Sequence, residues 1–355
     1  MENKERKGEM ITLARELRGI SQSVLAANVH NLKQSILSQL ENGSLEVSFE
    51  TWNSIAEYLE LPLNFFTLNR PQTPISSFYY RKRQTMQKKH LAELEAKIDI
   101  LRTSVDRLLA IVDIPEFNLP FFDIENIADK KNAAEEVARK IRGFLKIPKG
   151  PIINLVETLE RNGIIVYFFK DVNDKFDGIT LFSDKAQPLI FINDSIPNDR
   201  KRFTIAHELG HLVLHIRTMQ DLDRDEEKEA NQFASEFLMP EIEIRNTLNY
   251  LNLNKIATLK DYWLVSKSAI IRRAYDLDVI DRNKYTYFNI ELSRRGERKV
   301  ERGYISLEKP TILKHIISAL KNELHYSIDD IGSTLCLSKN LYEELFEDGK
   351  LRIAF

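Results

Sequence analysis

His207, Glu208 and His211 form a His-Glu-x-x-His pattern within Phe203-Thr-Ile-Ala-His-Glu-Leu-Gly-His-Leu-Val-Leu-His215. Residues four apart on an α-helix share a face, about 6 Å apart at Cβ, so two imidazoles can grip one ion such as zinc. Glu208 lies about 100° of helix rotation from His207 and about 60° from His211, at the edge of that face. Its carboxylate can stand beside a metal without ligating it, as a general base does. Phe203, Ile205, Ala206, Leu209, Leu212, Val213 and Leu214 surround the three residues, which predicts a buried helix. Surface histidines on an amphipathic helix are the plainer alternative, but histidines among so many apolar residues would be buried polar groups in need of a partner.

Zinc held for catalysis takes three protein ligands and leaves a fourth position for water. An extension of the motif to a third histidine is closed here, because Leu214 and Arg217 stand where glycine and histidine would be needed. The next stretch, Asp223 to Pro240, reads as a helix whose core stripe is Ala230, Phe233, Ala234, Phe237 and Leu238. Glu227, three before Ala230 and seven before Ala234, extends that stripe and is the expected third ligand. Glu226 is the second choice. Glu229 reads as a solvated first-turn charge, and Glu236 as rotated away from the stripe. His215, two turns beyond His207, is one candidate for a donor to the transition state, but reads rather as a structural histidine that holds the helix to a neighbour.

His-Glu-Leu-Gly-His-Leu-x-Leu-His followed by Glu-x-x-Ala-Asn-x-Phe-Ala-x-x-x-Leu-Met-Pro resembles the ImmA/IrrE family of zinc metallopeptidases. Gly150 to Val166 resembles that family's opening helix and strand, so the likeness spans about residues 125 to 280. The resemblance implies that His207, His211 and Glu227 bind Zn2+, that Glu208 is the catalytic base, and that the target is a helix-turn-helix repressor or an antitoxin-like protein.

These residues must be positioned by the elements around them. Gly163–Lys170, Gly178–Phe182 and Leu189–Asn193 read as strands of a small sheet, and Pro197 opens the metal helix. A substrate peptide could add to an edge of that sheet. Upstream, helices are expected at Met10–Arg18, Ser21–Asn28, Lys33–Asn42 and Phe49–Leu59, with Ser21 and Ser48 as caps. The segments from Ser21, from Gln34 to Gly43 and from Ile55 to Leu63 resemble the XRE type of helix-turn-helix. That likeness implies that Gln22 meets a phosphate and that Lys33, Gln34, Ser35 and Ser38 face base edges of DNA. The turn Val29-His-Asn-Leu departs from the type, being one residue longer and lacking glycine.

Charge bears on that expectation. Residues 1 to 67 carry six Lys or Arg against nine acids, net −3, which disfavours phosphate binding. Residues 70 to 107 carry nine basic residues against four acids, net +5, with Tyr79-Tyr-Arg-Lys-Arg83 as the densest run. Leu91, Leu94, Ile98, Leu101, Val105, Leu108, Leu109 and Val112 follow as a near-heptad stripe, expected to link domains, to pair two chains as a homodimer, or to pack on the peptidase. After Pro240, Trp263 to Leu277 resembles the family's closing helical hairpin, in which Ser266 is a cap and Arg272-Arg273 more a packing than a DNA element. Lys284 to Lys309 reads as strands or an extended connector, and Ile312–Leu320, Ile328–Leu335 and Leu341–Phe346 as closing helices with Ser327 and Ser338 as caps.

The expected fold class is therefore α+β and predominantly helical: an all-α helix-turn-helix (1–68), a basic linker and long helix (69–120), a metallopeptidase with a small sheet (121–282) and a helical accessory region (283–355). The overall charge of −2 predicts no polyanionic partner by itself. No apolar run suits a membrane, the N-terminus is too charged for a signal peptide, and the single cysteine, Cys336, excludes an intramolecular disulfide. A cytoplasmic protein is expected. No phosphate-cradling glycine loop is present. Two further readings remain: a regulator or antitoxin that binds a partner through the peptidase fold without cutting it, and a DNA-binding sensor of a small molecule.

Overall fold

The computed structural model describes residues 5–71, 87–124, 127, 132–170, 176–216, 224–298, 300–303, 305–306 and 308–348. Four helices come first: α1 (Gly8–Leu17), α2 (Gln22–Asn28), α3 (Gln34–Glu41) and α4 (Phe49–Tyr58). Ser21 and Ser48 accept from the main-chain N–H of Val24 and Thr51, each at 3.3 Å, and so start α2 and α4 where the sequence indicated. The glycine-free turn between α2 and α3 works because Asn31 takes the left-handed conformation, φ 60°, which asparagine tolerates better than most residues. Glu41 ties the bundle together from within, receiving Arg15 Nε at 3.0 Å and Gln22 Nε2 at 2.7 Å.

The near-heptad stripe lies on α5 (Lys88–Leu108). Its seam is filled inside the chain: α5 packs on α1, and Arg107 donates to the Thr334 carbonyl at 2.5 Å. Leu94, Ile98, Leu101, Val105 and Leu108 are buried there. Next come α6 (Ala133–Phe144) and α7 (Leu155–Glu160), then a sheet of β1 (Ile165–Phe169), β2 (Gly178–Phe182) and β3 (Pro188–Asn193) in the order β1-β3-β2. β3 runs parallel to β1, with Val166 opposite Ile190, and antiparallel to β2, with Thr180 opposite Ile190.

β3 is buried on both faces, which is why its sequence is a continuous apolar run. Successive side chains alternate, so Leu189 and Phe191 enter one core while Ile190 and Ile192 enter another. The first core holds α1 to α5 and the C-terminal helices α14 (Ile312–Asn322), α15 (Ile328–Leu335) and α16 (Lys339–Tyr342). The second holds α6 and α7 together with α8 (Asn198–Leu214), α9 (Glu226–Leu238), α10 (Glu241–Ile244), α11 (Leu253–Trp263), α12 (Lys267–Asp276) and α13 (Arg282–Arg294). The molecule is a predominantly helical α+β fold, with the sheet as the layer between two apolar interiors. Among the described residues no helix is long and apolar enough to cross a membrane.

One expected element is corrected. Residues 284 onward form helix α13 rather than strands: Asp281 accepts from Lys284 N at 2.8 Å, and Tyr285, Phe288 and Leu292 line its inner face. Their i, i+3, i+7 spacing outweighs the alternation of charges. The connector after α13 is pinned by acids. Glu301 accepts from the first N–H groups of α12, Lys267 at 2.7 Å and Ser268 at 3.2 Å, and pairs with Lys260 at 2.9 Å. Lys260 also pairs with Asp199 in the first turn of α8. Glu308 pairs with Arg202 of α8 and accepts from Val156 N at 2.8 Å, while Glu160 of α7 accepts from Thr311 N and Ile312 N at 2.9 and 3.1 Å. Glu160 of α7 thus caps the start of α14, Glu308 of the connector caps the start of α7, and the N-terminal turn of α8 is fixed by buried ion pairs.

Candidate metal centre

Helix α8 carries His207, Glu208 and His211, exposed by only 8%, 4% and 5%. Helix α9 crosses it at Gly210, where a methyl group would lie 3.3 Å from Ala230 Cα and 3.1 Å from Phe233 Cδ1. A crossing this close favours a residue without a side chain, since a methyl would press on its neighbours by a few tenths of an ångström. Asp225 caps α9, accepting from Lys228 N at 3.2 Å, so Glu227 stands one turn before Ala230 and faces the histidine pair. His207 Nε2 and His211 Nε2 are 3.0 Å apart, and the Glu227 carboxylate oxygens lie 3.5 Å from the first and 3.7 Å from the second.

The outer ring nitrogens decide where the lone pairs point. His207 Nδ1 lies 3.2 Å from Asn231 Oδ1, an acceptor, so Nδ1 carries the proton. His215 Nε2 donates to Glu229 at 2.9 Å, which leaves its Nδ1 to accept from His211 Nδ1 at 2.9 Å. Both inward Nε2 atoms then hold lone pairs, aimed at one point together with a carboxylate. Such a convergence is repulsive without a cation. A tetrahedral zinc about 2.0–2.1 Å from each donor sets donors about 3.3 Å apart, and the three observed separations bracket that value. Burial pushes the His211 imidazole down to about 3, so it is neutral as a ligand must be. The two imidazoles beside Glu227 hold its carboxyl well below the usual range.

Glu208 is fixed from the sheet: Thr180 of β2 donates to Glu208 Oε2 at 2.9 Å, with the Glu208 carbonyl also within 3.0 Å of the hydroxyl. The three-donor group opens into a cleft of about 530 Å³. Thr204 of α8, Asn231 and Ser235 of α9 and Ser268 and Arg272 of α12 line it, with Arg298 of the connector.

The other candidates fall as follows. Glu226 is not in the three-donor group. Glu229 is not a solvated charge. Burial works against its charged form, but hydrogen bonds from His215 and Arg224 prevail and bring its carboxyl down to about 2. Glu236 is almost fully buried, paired with Arg273 and with Arg139 at 3.0 Å; Arg273 is therefore a packing residue. The motif points to neither Asn231 nor Thr180, and the neighbour expected to hold His215 proves to be Glu229. Asn231 carried a signal, lying four after Glu227 on the same helical face, whereas nothing along β2 marks Thr180. On α3, Lys33, Gln34 and Ser35 are exposed and Ser38 half-buried, while the Gln22 amide is engaged by Glu41. The basic run 79–83 lies outside the described residues.

Comparison with known families agrees with this layout. Residues 159–275 match the family described as the IrrE N-terminal-like domain, a peptidase family, and residues 11–66 match the helix-turn-helix family. No curated protein matches the chain. The chain thus joins an N-terminal helix-turn-helix of the XRE type to a domain of the ImmA/IrrE peptidase family.

Proposed function

We propose that the cleft hydrolyses a peptide bond in a regulatory protein, a helix-turn-helix repressor or a toxin–antitoxin partner, and that the helix-turn-helix brings this activity to DNA in transcriptional or stress control in the cytoplasm. The observation that carries this reading is the convergence of His207, His211 and Glu227 on one point, beside a buried spare carboxylate. His207, His211 and Glu227 hold Zn2+. When bound, the ion supplies Lewis acidity to the scissile carbonyl and to the attacking water.

The chain's own residues do the rest. Glu208, its Oε2 steadied by Thr180, takes a proton from the water and returns it to the leaving amine nitrogen. Asn231 and His215 keep the two ligating imidazoles in one tautomer and one orientation. The substrate lies extended along β2, an edge strand whose first residue, Gly178, packs against Thr204 in the cleft wall. Glycine keeps that approach close.

The test is direct. The zinc-loaded protein is incubated with candidate helix-turn-helix repressors and toxin–antitoxin partners encoded beside its gene, and fragments are read by mass spectrometry. Glu208→Gln should retain stoichiometric zinc and lose cleavage by several orders of magnitude, and Glu227→Ala should lose zinc. Zinc at full occupancy in the second variant would defeat the ligand assignment. Partner binding without any cut by the zinc-loaded wild type would replace a peptidase by a docking module.

A further inference from the structure

A second cavity, of about 300 Å³, lies on the far side of the sheet's edge from the cleft residues, where β1 meets the C-terminal helices. Its apolar lining, which forms the floor, wraps the edge of β1, with Val166 and Phe168 from the second core and Leu313 of α14, Leu345 and Phe346 from the first. Its rim is charged by Lys170, Lys309 and Lys314, with Asp194 and Glu347 as the acids. The acids are already neutralised. Asp194 pairs with Lys201 of α8 at 2.5 Å, and Glu347 pairs with Lys321. Lys309 and Lys314 are exposed, and among the described residues no acid pairs with either. The rim therefore keeps a positive balance above an apolar floor.

We propose that this cavity binds a small amphiphilic anion, with an apolar body against Phe168, Leu313 and Phe346 and a carboxylate or phosphate at Lys309 and Lys314. Its volume falls at the lower end of small-molecule sites, and a mainly apolar lining with a few convergent charges is the composition such sites have. An apolar ligand would fill the floor but leave the lysines unanswered; inorganic phosphate would meet the lysines and leave the floor wet. Only a ligand with both parts satisfies both. The site's walls belong to three parts of the molecule. Through Asp194–Lys201, and through Glu308–Arg202 beside Lys309, it touches the first turns of α8. The inference uses no step of the cleft's chemistry, so its failure leaves that reading intact.

The experiment uses the full chain and anilinonaphthalene sulfonate, an aromatic amphiphilic anion that fluoresces in apolar surroundings. Saturable binding at one site is expected, competed by octanoate or by phenyl phosphate, whichever head group the lysines prefer, and not by octanol or inorganic phosphate. The Lys309→Glu/Lys314→Glu double variant should weaken the saturable phase roughly tenfold or more, since it removes two charge-assisted contacts. Leu313→Trp, which fills the floor, should abolish that phase. Both should keep wild-type zinc content, read by atomic absorption. Binding unchanged by the lysine reversals, or octanol competing as well as octanoate, would overturn the proposal.

Discussion

His215 Nε2 donates to the Glu229 carboxylate at 2.9 Å, and the same imidazole accepts from His211 Nδ1 at 2.9 Å. This relay runs from the first turn of the ligand helix to the inward face of the metal helix, and Arg224 closes it, 2.7 Å from Glu229. Its effect is to fix which nitrogen of His211 bears the proton. Removing a hydrogen-bond partner behind a metal ligand typically costs 10–100-fold in metal affinity or activity. His215→Leu should therefore weaken zinc binding by about that factor. Glu229→Gln, whose carbonyl oxygen still accepts from His215, should cost less. Competition against a chromophoric chelator gives both numbers. Equal zinc affinity in wild type and His215→Leu would reduce the relay to packing.

The crossing at Gly210 makes a second prediction. A methyl there sits in the range where neighbours must yield a few tenths of an ångström, and the neighbours are the Ala230 backbone and the Phe233 ring. Gly210→Ala should be tolerated with a small loss. Gly210→Val should force α8 and α9 apart, costing about 1–3 kcal/mol as overpacking does, and should carry Glu227 away from the histidines. Zinc affinity should fall more steeply along the series Gly, Ala, Val than thermal stability does. Parallel decline of the two would mean that the crossing matters to folding alone.

Thr180 and Glu208 provide a kinetic test. Thr180→Val keeps the shape of the side chain and removes the hydroxyl that steadies Glu208 Oε2. A net hydrogen bond to a charged group is worth about 1.5–3 kcal/mol, so kcat should fall roughly ten- to a hundredfold with zinc content unchanged. An equal loss in the Glu208→Gln background, where no carboxylate remains to be steadied, would show that Thr180 acts through something other than Glu208.

What the sequence disclosed, and what it hid, follows the range of the interactions. The helix of His207, Glu208 and His211 and the inward position of Glu227 depend on offsets of three, four and seven residues, which periodicity reports directly. The apolar run of β3 likewise announced a strand, and the structure adds that both its faces are buried. The sequence could not show that Glu229 is held rather than solvated, or that Glu236, turned away from the metal stripe, is buried, because their partners come from elsewhere in the fold. His215 lies fourteen residues back, and Arg273 thirty-seven residues on, in another helix. No periodicity within α9 contains that information. α13 was misread because Arg, Lys and Glu alternate over an inner face that only Tyr285, Phe288 and Leu292 define. The stripe on α5 was legible as a helix, but its partner was not: α1, which packs against it, lies over seventy residues upstream.

Glu344 sets a pH dependence away from the metal. Burial raises its carboxyl to about 7 against the pull of Lys97 and Arg18, and its Oε1 has no hydrogen-bond partner among the described residues. The folded state therefore keeps a proton that the unfolded chain gives up near the ordinary carboxylate value. Between those two values the folded state binds more protons, so stability from this group is full at low pH and falls as pH rises through about 7. Glu344→Gln should raise the melting temperature by a few degrees at pH about 8 and by less at pH about 5. A gain of the same size at both values would mean that charge at Glu344 is not what the packing resists.

DNA binding is the last expectation to put to measurement. The cations of α1 are spent inside the domain, Arg15 on Glu41 and Arg18 on Glu60, and α3 exposes only Lys33 as a positive charge. A domain with more acids than bases and one exposed lysine at α3 neutralises few phosphates, so Arg81, Lys82 and Arg83 should supply most of the non-specific affinity. Each phosphate neutralised adds about 0.9 to the slope of log affinity against log salt. Replacing these three residues by alanine should flatten that slope by up to about 3 and weaken binding to any duplex alike. Gln34→Ala should leave the slope alone and change sequence preference by about 1–3 kcal/mol at one base pair. A triple variant that binds with an unchanged slope would move the phosphate contacts onto the helices themselves.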